Sequence, residues 1–257
     1  MRAPIRLLIG LLLVAGLDWT SPRVASAASV FANWAAVVVA GDYRAHSGAP
    51  SEVFDNARRD LVKALIAKGF SPDHVRQFSM RPERYPHDGA LRTESVPIVD
   101  QLGNLALTAR DGCLVYFTSH GSPDGIIVGA RIWTPNIMAA VVDHTCPNRP
   151  AVVIIAACFS GVFVPLLADP NRMILTAARP DRASFGCGEE DRYTYFDACV
   201  LQEIGAVHDF GALGRAVQAC VAKREHDMGA APPSEPQMSV GAALRPMLPL
   251  YAFSSSP

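Results

Sequence analysis

Two short stretches place chemistry-bearing side chains at the ends of apolar runs. In "LVYFTSHGSPDG", residues 114–125, the imidazole of His120 closes a run that could otherwise bury itself, and Gly121 follows at once. In "VVIIAACFSG", residues 152–161, the thiol of Cys158 holds the same kind of place before a Ser-Gly turn. A thiol at such a turn is a nucleophile once its proton is removed, and an imidazole can take that proton and later return it to a leaving amine. Backbone N–H groups left free by the turn bind an oxyanion. Cys158 and His120 are therefore sufficient for acyl transfer, with Gly121 and Gly161 allowing the close backbone approach of an extended substrate. Taken singly, each has a plainer reading, since a cysteine in an apolar run is more often a small core residue. Their joint appearance at strand ends, histidine before cysteine, favours the chemical reading.

The elements that must position this pair alternate along the chain. "WAAVVVA" at 34–40, "CLVYFT" at 113–118, "AVVIIA" at 151–156 and residues 173–176 are continuous apolar runs, as expected of strands buried on both faces. A short strand is expected at 75–78, a small hairpin or a strand with its lead-in at "GIIVG" and "RIWT", and a surface loop over 79–93, which carries Pro82, Pro86 and Gly89. Helical spacing covers 53–66, after Ser51 and Glu52, and 94–109; Thr134-Pro135 opens another helix, and "YTYFDACVLQEI" leads into one more. This is the order of an α/β protein with a mainly parallel sheet. In such sheets ligands bind outside the carboxyl ends of the strands, which puts His120, Cys158, and the Arg44 and His46 that follow the first strand, on one edge.

Composition limits the setting. Arg2 and Arg6, the eleven-residue apolar run 7–17 and the small residues Ala25 and Ala27 read as a secretory signal over residues 1–27. The run is too short to span a bilayer, so an exported protein, periplasmic or secreted and without stable membrane insertion, is expected. Removal of that segment leaves 20 basic and 23 acidic side chains, a balance that gives no reason to expect a nucleic-acid partner. Residues 28–228 read as one domain and 229–257 as a Pro/Ala/Ser-rich tail. None of the six cysteines falls in a metal-ligand register, so neither a metal nor an organic cofactor is expected. In an oxidising compartment, pairing is most readily placed among Cys187, Cys199 and Cys220.

"YFTSHGSPDGIIV" and "VVIIAACFSG" resemble the paired signatures of the legumain family, peptidase family C13, in the caspase-like clan of cysteine peptidases. "VVVAGDYRAHSGAPSEVFDNARRDLVKAL" upstream and "ILTAARPDRASFGCGEEDRYTYF" downstream extend the resemblance across roughly residues 33–200. It implies a caspase-like three-layer α/β/α sandwich and a cysteine endopeptidase acting on peptide or protein substrates. Carried over residue by residue, Cys158 would be the nucleophile and His120 the general base and acid. The oxyanion would be held by the backbone N–H groups of Gly121 and Cys158. Arg44, Ser184 and Asp197 would select the side chain before the scissile bond, with Asp42 orienting His120. Two departures matter: the family's acidic residue two before the cysteine is Ala156 here, and its aspartate before the histidine is Ser119. Asparagine specificity therefore does not follow, and an Arg44 lacking a carboxylate partner would favour an acidic side chain.

Two other readings use the same residues. In a glutaminase-like amidase or transpeptidase, Cys158 would pair with the later His208, beside Glu203 and Asp209. In a binding module of the same fold, the pair would have no catalytic role. The tail contains one apolar stretch suited to docking, "MSVGAAL", and a packing arm or added strand suits its length better than an inhibitory prodomain. Sequence leaves the oligomeric state open.

Overall fold

The computed structural model describes residues 28–254; the signal segment read at 1–27 lies outside the described residues. Strand β1 (Trp34–Ala40) is buried at every position, as its unbroken apolar run requires. Its side chains alternate between two cores. Trp34, Ala36 and Val38 enter one, and Ala35, Val37 and Val39 enter the other.

Helix α1 (Val53–Ala67) follows, then β2 (Val75–Ser79), β3 (Leu91–Arg92), α2 (Ser95–Thr108) and β4 (Gly112–Thr118). A small antiparallel sheet comes next: β5 (Gly121–Ser122), β6 (Gly125–Val128) and β7 (Arg131–Trp133). Then come α3 (Pro135–Thr145), β8 (Ala151–Ala156), the single-turn α4 (Val164–Leu167), β9 (Arg172–Thr176), α5 (Tyr195–Glu203), α6 (Phe210–Asp227) and β10 (Gln237–Val240). The main sheet has seven strands in the order β10-β9-β8-β4-β1-β2-β3, all parallel except β10.

Helices α1, α5 and α6 supply Leu61, Val200 and Leu213 to the first core, and α2, α3 and α4 supply Leu102, Val142 and Leu167 to the second. The result is the expected three-layer α/β/α sandwich. The expected surface loop 79–93 does contain one short strand, β3, which joins β2 through Phe78 and Leu91. Two residues carry too little pattern to announce a strand.

Two disulfides cross-link the elements: Cys199–Cys220 joins α5 to α6 within one helical layer, and Cys113–Cys146 joins β4 to the end of α3 in the other. Of the three cysteines singled out from sequence, Cys199 and Cys220 pair, but Cys187 stays a free thiol, as does Cys158. The tail runs from the carboxyl edge, where the Ser234 carbonyl accepts from Arg179 N–H at 2.9 Å, toward the amino edge. Its β10 adds to β9, and Phe253 reaches the amino end of β1 among Phe31, Phe70 and Phe210.

Candidate active site

Register brings the predicted pair together. Neighbouring strands β1, β4 and β8 align Ala40 with Thr118 and Thr118 with Ala156 at their carboxyl ends. Adjacent strands lie about 4.8 Å apart. Two residues further on, the three chains carry Asp42, His120 and Cys158.

Contact beyond the strands is closer still. A β-carbon on Gly121 would stand 2.3 Å from the carbonyl oxygen of Cys158 and 3.0 Å from the Ala157 β-carbon. Only glycine fits there. The atoms crowding Gly121 belong to the cysteine's own backbone, and those crowding Gly161 belong to Arg179 and Pro180. These glycines thus serve the internal assembly of the site, in contrast to the substrate approach expected from sequence.

Beyond Cys158 the chain turns sharply. Phe159 adopts a left-handed conformation (φ 58°, ψ 11°), unfavourable for a residue with a β-carbon, and its N–H donates to the Arg182 carbonyl at 2.7 Å. The turn leaves the N–H of Cys158 without an acceptor among the described residues. Gly121 offers a second donor. Ile127 N–H donates to His120 C=O at 2.9 Å, which makes Gly121–Ile126 a non-hydrogen-bonded pair and points the Gly121 N–H away from β6.

The imidazole is held by backbone. His120 Nε2 lies 2.9 Å from the carbonyl oxygen of Arg44, and the ring meets Phe54 edge-on with centroids 5.1 Å apart. A carbonyl can only accept, so this contact places the proton on Nε2 and the lone pair on Nδ1. Asp42 does not orient the histidine. Its carboxylate accepts from the N–H groups of Tyr43 at 2.6 Å and Arg44 at 3.3 Å, and lies 3.5 Å from the Arg44 guanidinium. A loop aspartate satisfied by the next two amides has no reach left for the ring. The same ion pair gives Arg44 a carboxylate partner, which removes the premise for an acidic preference.

The sulfur of Cys158 meets Ser184. The Ser184 N–H donates to Sγ at 3.3 Å, the thiol faces the Ser184 carbonyl at 3.5 Å, and the hydroxyl is 3.6 Å away. Ser184 thus touches the nucleophile itself. Thiol and imidazole are not hydrogen-bonded to each other; such contacts are often loose before substrate binds.

Asp197 is elsewhere. Fully buried in the first turn of α5, it accepts from Tyr116 at 2.7 Å, Thr118 at 2.6 Å and Thr194 at 2.9 Å. Burial raises its pKa to about 6 against these three hydroxyls, which pull it down. It fastens α5 to the end of β4 and is closed off from solvent. His208 is also remote. Its carbonyl accepts from Phe253 N–H, next to the Ser254 N–H that donates to Lys68 at the end of α1, so it lies at the amino edge of the sheet. Asp209 caps α6 through the Ala212 N–H at 2.8 Å. The sheet separates His208 from Cys158, and the glutaminase-like pairing is not formed.

Residues 97–212 match the model of the Peptidase C13 family. Over that span, a little under half of its length, the chain is similar to the Peptidase C13 family. The C13 segment contains His120, Gly121, Cys158 and Ser184, whereas Asp42 and Arg44 come from the first strand's loop outside it. A similar fold occurs in the crystal structure of caspase-1 from Spodoptera frugiperda, with a TM-score of 0.58 and 16% identity over 83% of this chain and 88% of the caspase. No curated protein matches the sequence. Both positions that depart from the pattern the sequence resembles are buried: Ala156 ends β8, and Ser119 keeps its hydroxyl without a partner among the described residues.

Two features of the site escaped the sequence reading. The Arg44 carbonyl that holds His120 is a backbone atom, to which residue identity gives no clue. Cys187 was readable only as one of three cysteines available for pairing.

Proposed function

We propose that the protein is an exported cysteine endopeptidase in which Cys158 attacks a peptide carbonyl and His120 moves the proton. One observation carries this reading: His120-Gly121 is packed against the backbone of Cys158 at the ends of adjacent parallel strands, with two N–H groups left without acceptors. With Nε2 committed to the Arg44 carbonyl, Nδ1 takes the thiol proton and returns it to the leaving amine. The amides of Gly121 and Cys158 receive the developing oxyanion. Water, deprotonated by the same Nδ1, then releases the acyl group and restores the thiol. Two disulfides among the described residues support an oxidising compartment, as does the signal read at residues 1–27.

The test is covalent labelling of the folded protein with acyloxymethyl-ketone peptides bearing acidic, amide or basic side chains, followed by mass mapping. An adduct on Cys158 that is lost in His120→Ala is expected. Absence of an adduct with every probe would favour a binding module, and undiminished labelling of His120→Ala would remove the histidine from the mechanism.

A further inference from the structure

Four of the six cysteines are joined in disulfides, and the two that remain free belong to the same small region. Cys187 lies three residues beyond Ser184, whose backbone and hydroxyl surround the Cys158 sulfur. Its side chain packs against Ala40, Val53 and Phe54, and Phe54 is the ring that meets His120. The loop carrying it is fastened to the loop after β1: His46 N–H donates to the Cys187 carbonyl at 2.9 Å, and the Ser47 hydroxyl donates to Glu189 at 2.6 Å. Cys187 is therefore held among the neighbours of both reactive side chains.

We propose that Cys187 is a resolving thiol for Cys158, closing a reversible Cys158–Cys187 disulfide when the nucleophile meets a disulfide oxidant. In the first step the Cys158 thiolate attacks one sulfur of a small disulfide R–S–S–R. This forms Cys158–S–S–R and expels RS⁻. In the second, the Cys187 sulfur attacks Cys158, breaking the mixed S–S bond. The second RS⁻ departs and takes up the Cys187 proton. Two protein thiols and one R–S–S–R thus become one protein disulfide and two R–S–H, and a thiol reductant reverses both steps.

The order of attack follows from the setting of the two sulfurs. Burial raises the Cys187 pKa to about 11, with the nearby negative charge of Cys158 as the next cause and Asp191 after it. Cys187 alone is thus a protonated, unreactive thiol. Once Cys158 carries a neutral disulfide, its charge no longer opposes ionisation of Cys187. The nucleophile reacts first, and its neighbour resolves it. The closed pair would shield Cys158 from the irreversible sulfinic and sulfonic states while suspending acyl transfer. The linkage itself depends only on the two sulfurs; its effect on turnover rests on the proposed peptidase reading.

The test treats the folded full chain with oxidised glutathione, alkylates remaining thiols, and maps peptides without reduction. Expected is a Cys158–Cys187 crosslink, two hydrogens lighter than the reduced pair, with the two other disulfides intact and reversal by dithiothreitol. In Cys187→Ser, with a circular dichroism spectrum like that of the wild type, a glutathionyl adduct should persist on Cys158. A stable adduct on wild-type Cys158 with Cys187 still alkylatable would overturn the proposal. So would absence of any change at either thiol. Because the readout is sulfur mass, it stays separate from peptide cleavage. A crosslink in a protein that ketone probes never label would uphold the resolving thiol and sink the peptidase.

Discussion

The two edges of the same sheet are built on opposite principles. At the amino edge, Phe31 is fully buried and meets the rings of Trp34, Phe70, Phe210, Tyr251 and Phe253, with centroids 4.8–6.4 Å apart. Residues from both ends of the described chain close that edge. At the carboxyl edge the chain keeps two free thiols, a left-handed Phe159, a buried Ser119 hydroxyl without a partner, and amides without acceptors. Groups left unsatisfied or strained in a folded protein reduce its stability, and they persist where other packing outweighs them. The aromatic edge provides such packing without entering the chemistry.

If that division is real, the largest effect on folding should come from the edge that has no chemistry. Phe31→Ala removes a fully buried ring from contact with five others, and truncations of this kind cost about 3–5 kcal/mol. Denaturant unfolding should show a loss of that order, while Cys158 labelling per folded molecule, measured well below the transition, stays unchanged. A labelling loss with unaltered stability would break the comparison.

The reverse separation is expected at Gly121. A methyl there would run into the Cys158 carbonyl at 2.3 Å, so Gly121→Ala must push β4's extension away from the nucleophile. Displacing an oxyanion donor and its histidine neighbour costs on the order of 10²–10³ in rate. The variant should lose labelling by that factor and melt closer to the wild type than Phe31→Ala does. Full labelling of Gly121→Ala would show that the tight junction is structural only.

How much of this was legible in the sequence differs between the edges for a physical reason. Unbroken runs such as Trp34–Ala40 and Ala151–Ala156 announce buried strands because both faces must be apolar, and the position of a side chain just past a strand then follows from topology. That logic found the shared edge of His120, Cys158 and Arg44. It failed where an identical residue type can satisfy itself locally. Asp42 is taken up by the next two amides and Asp197 by three hydroxyls, and spacing cannot distinguish either from a carboxylate facing a substrate. The Cys113–Cys146 pair was equally hidden, since its 33-residue separation leaves no local signature. The aromatic edge draws on residues from both ends of the described chain, and no local pattern reveals such contacts.

Asp197 lies between the two regimes, and its charge gives the smallest of the expected effects. It is buried in the first turn of α5, yet two of its partners, Tyr116 and Thr118, are on β4, which ends two residues before His120. Its pKa is raised from 3.8 to about 6 by burial, so the native state holds this proton more tightly than the unfolded chain does. Between those values the folded form binds more protons, and stability from this group falls as pH rises; above about 6 the full penalty of the buried carboxylate is present. Asp197→Asn keeps an acceptor for the hydroxyls without the charge. Its Tm relative to wild type should therefore climb between melts at about pH 4.5 and about pH 7.5. A constant difference would mean that the three hydroxyls fully stabilise the carboxylate. Asp197 would then be one more satisfied group of the core, with no part in the tension that marks the carboxyl edge.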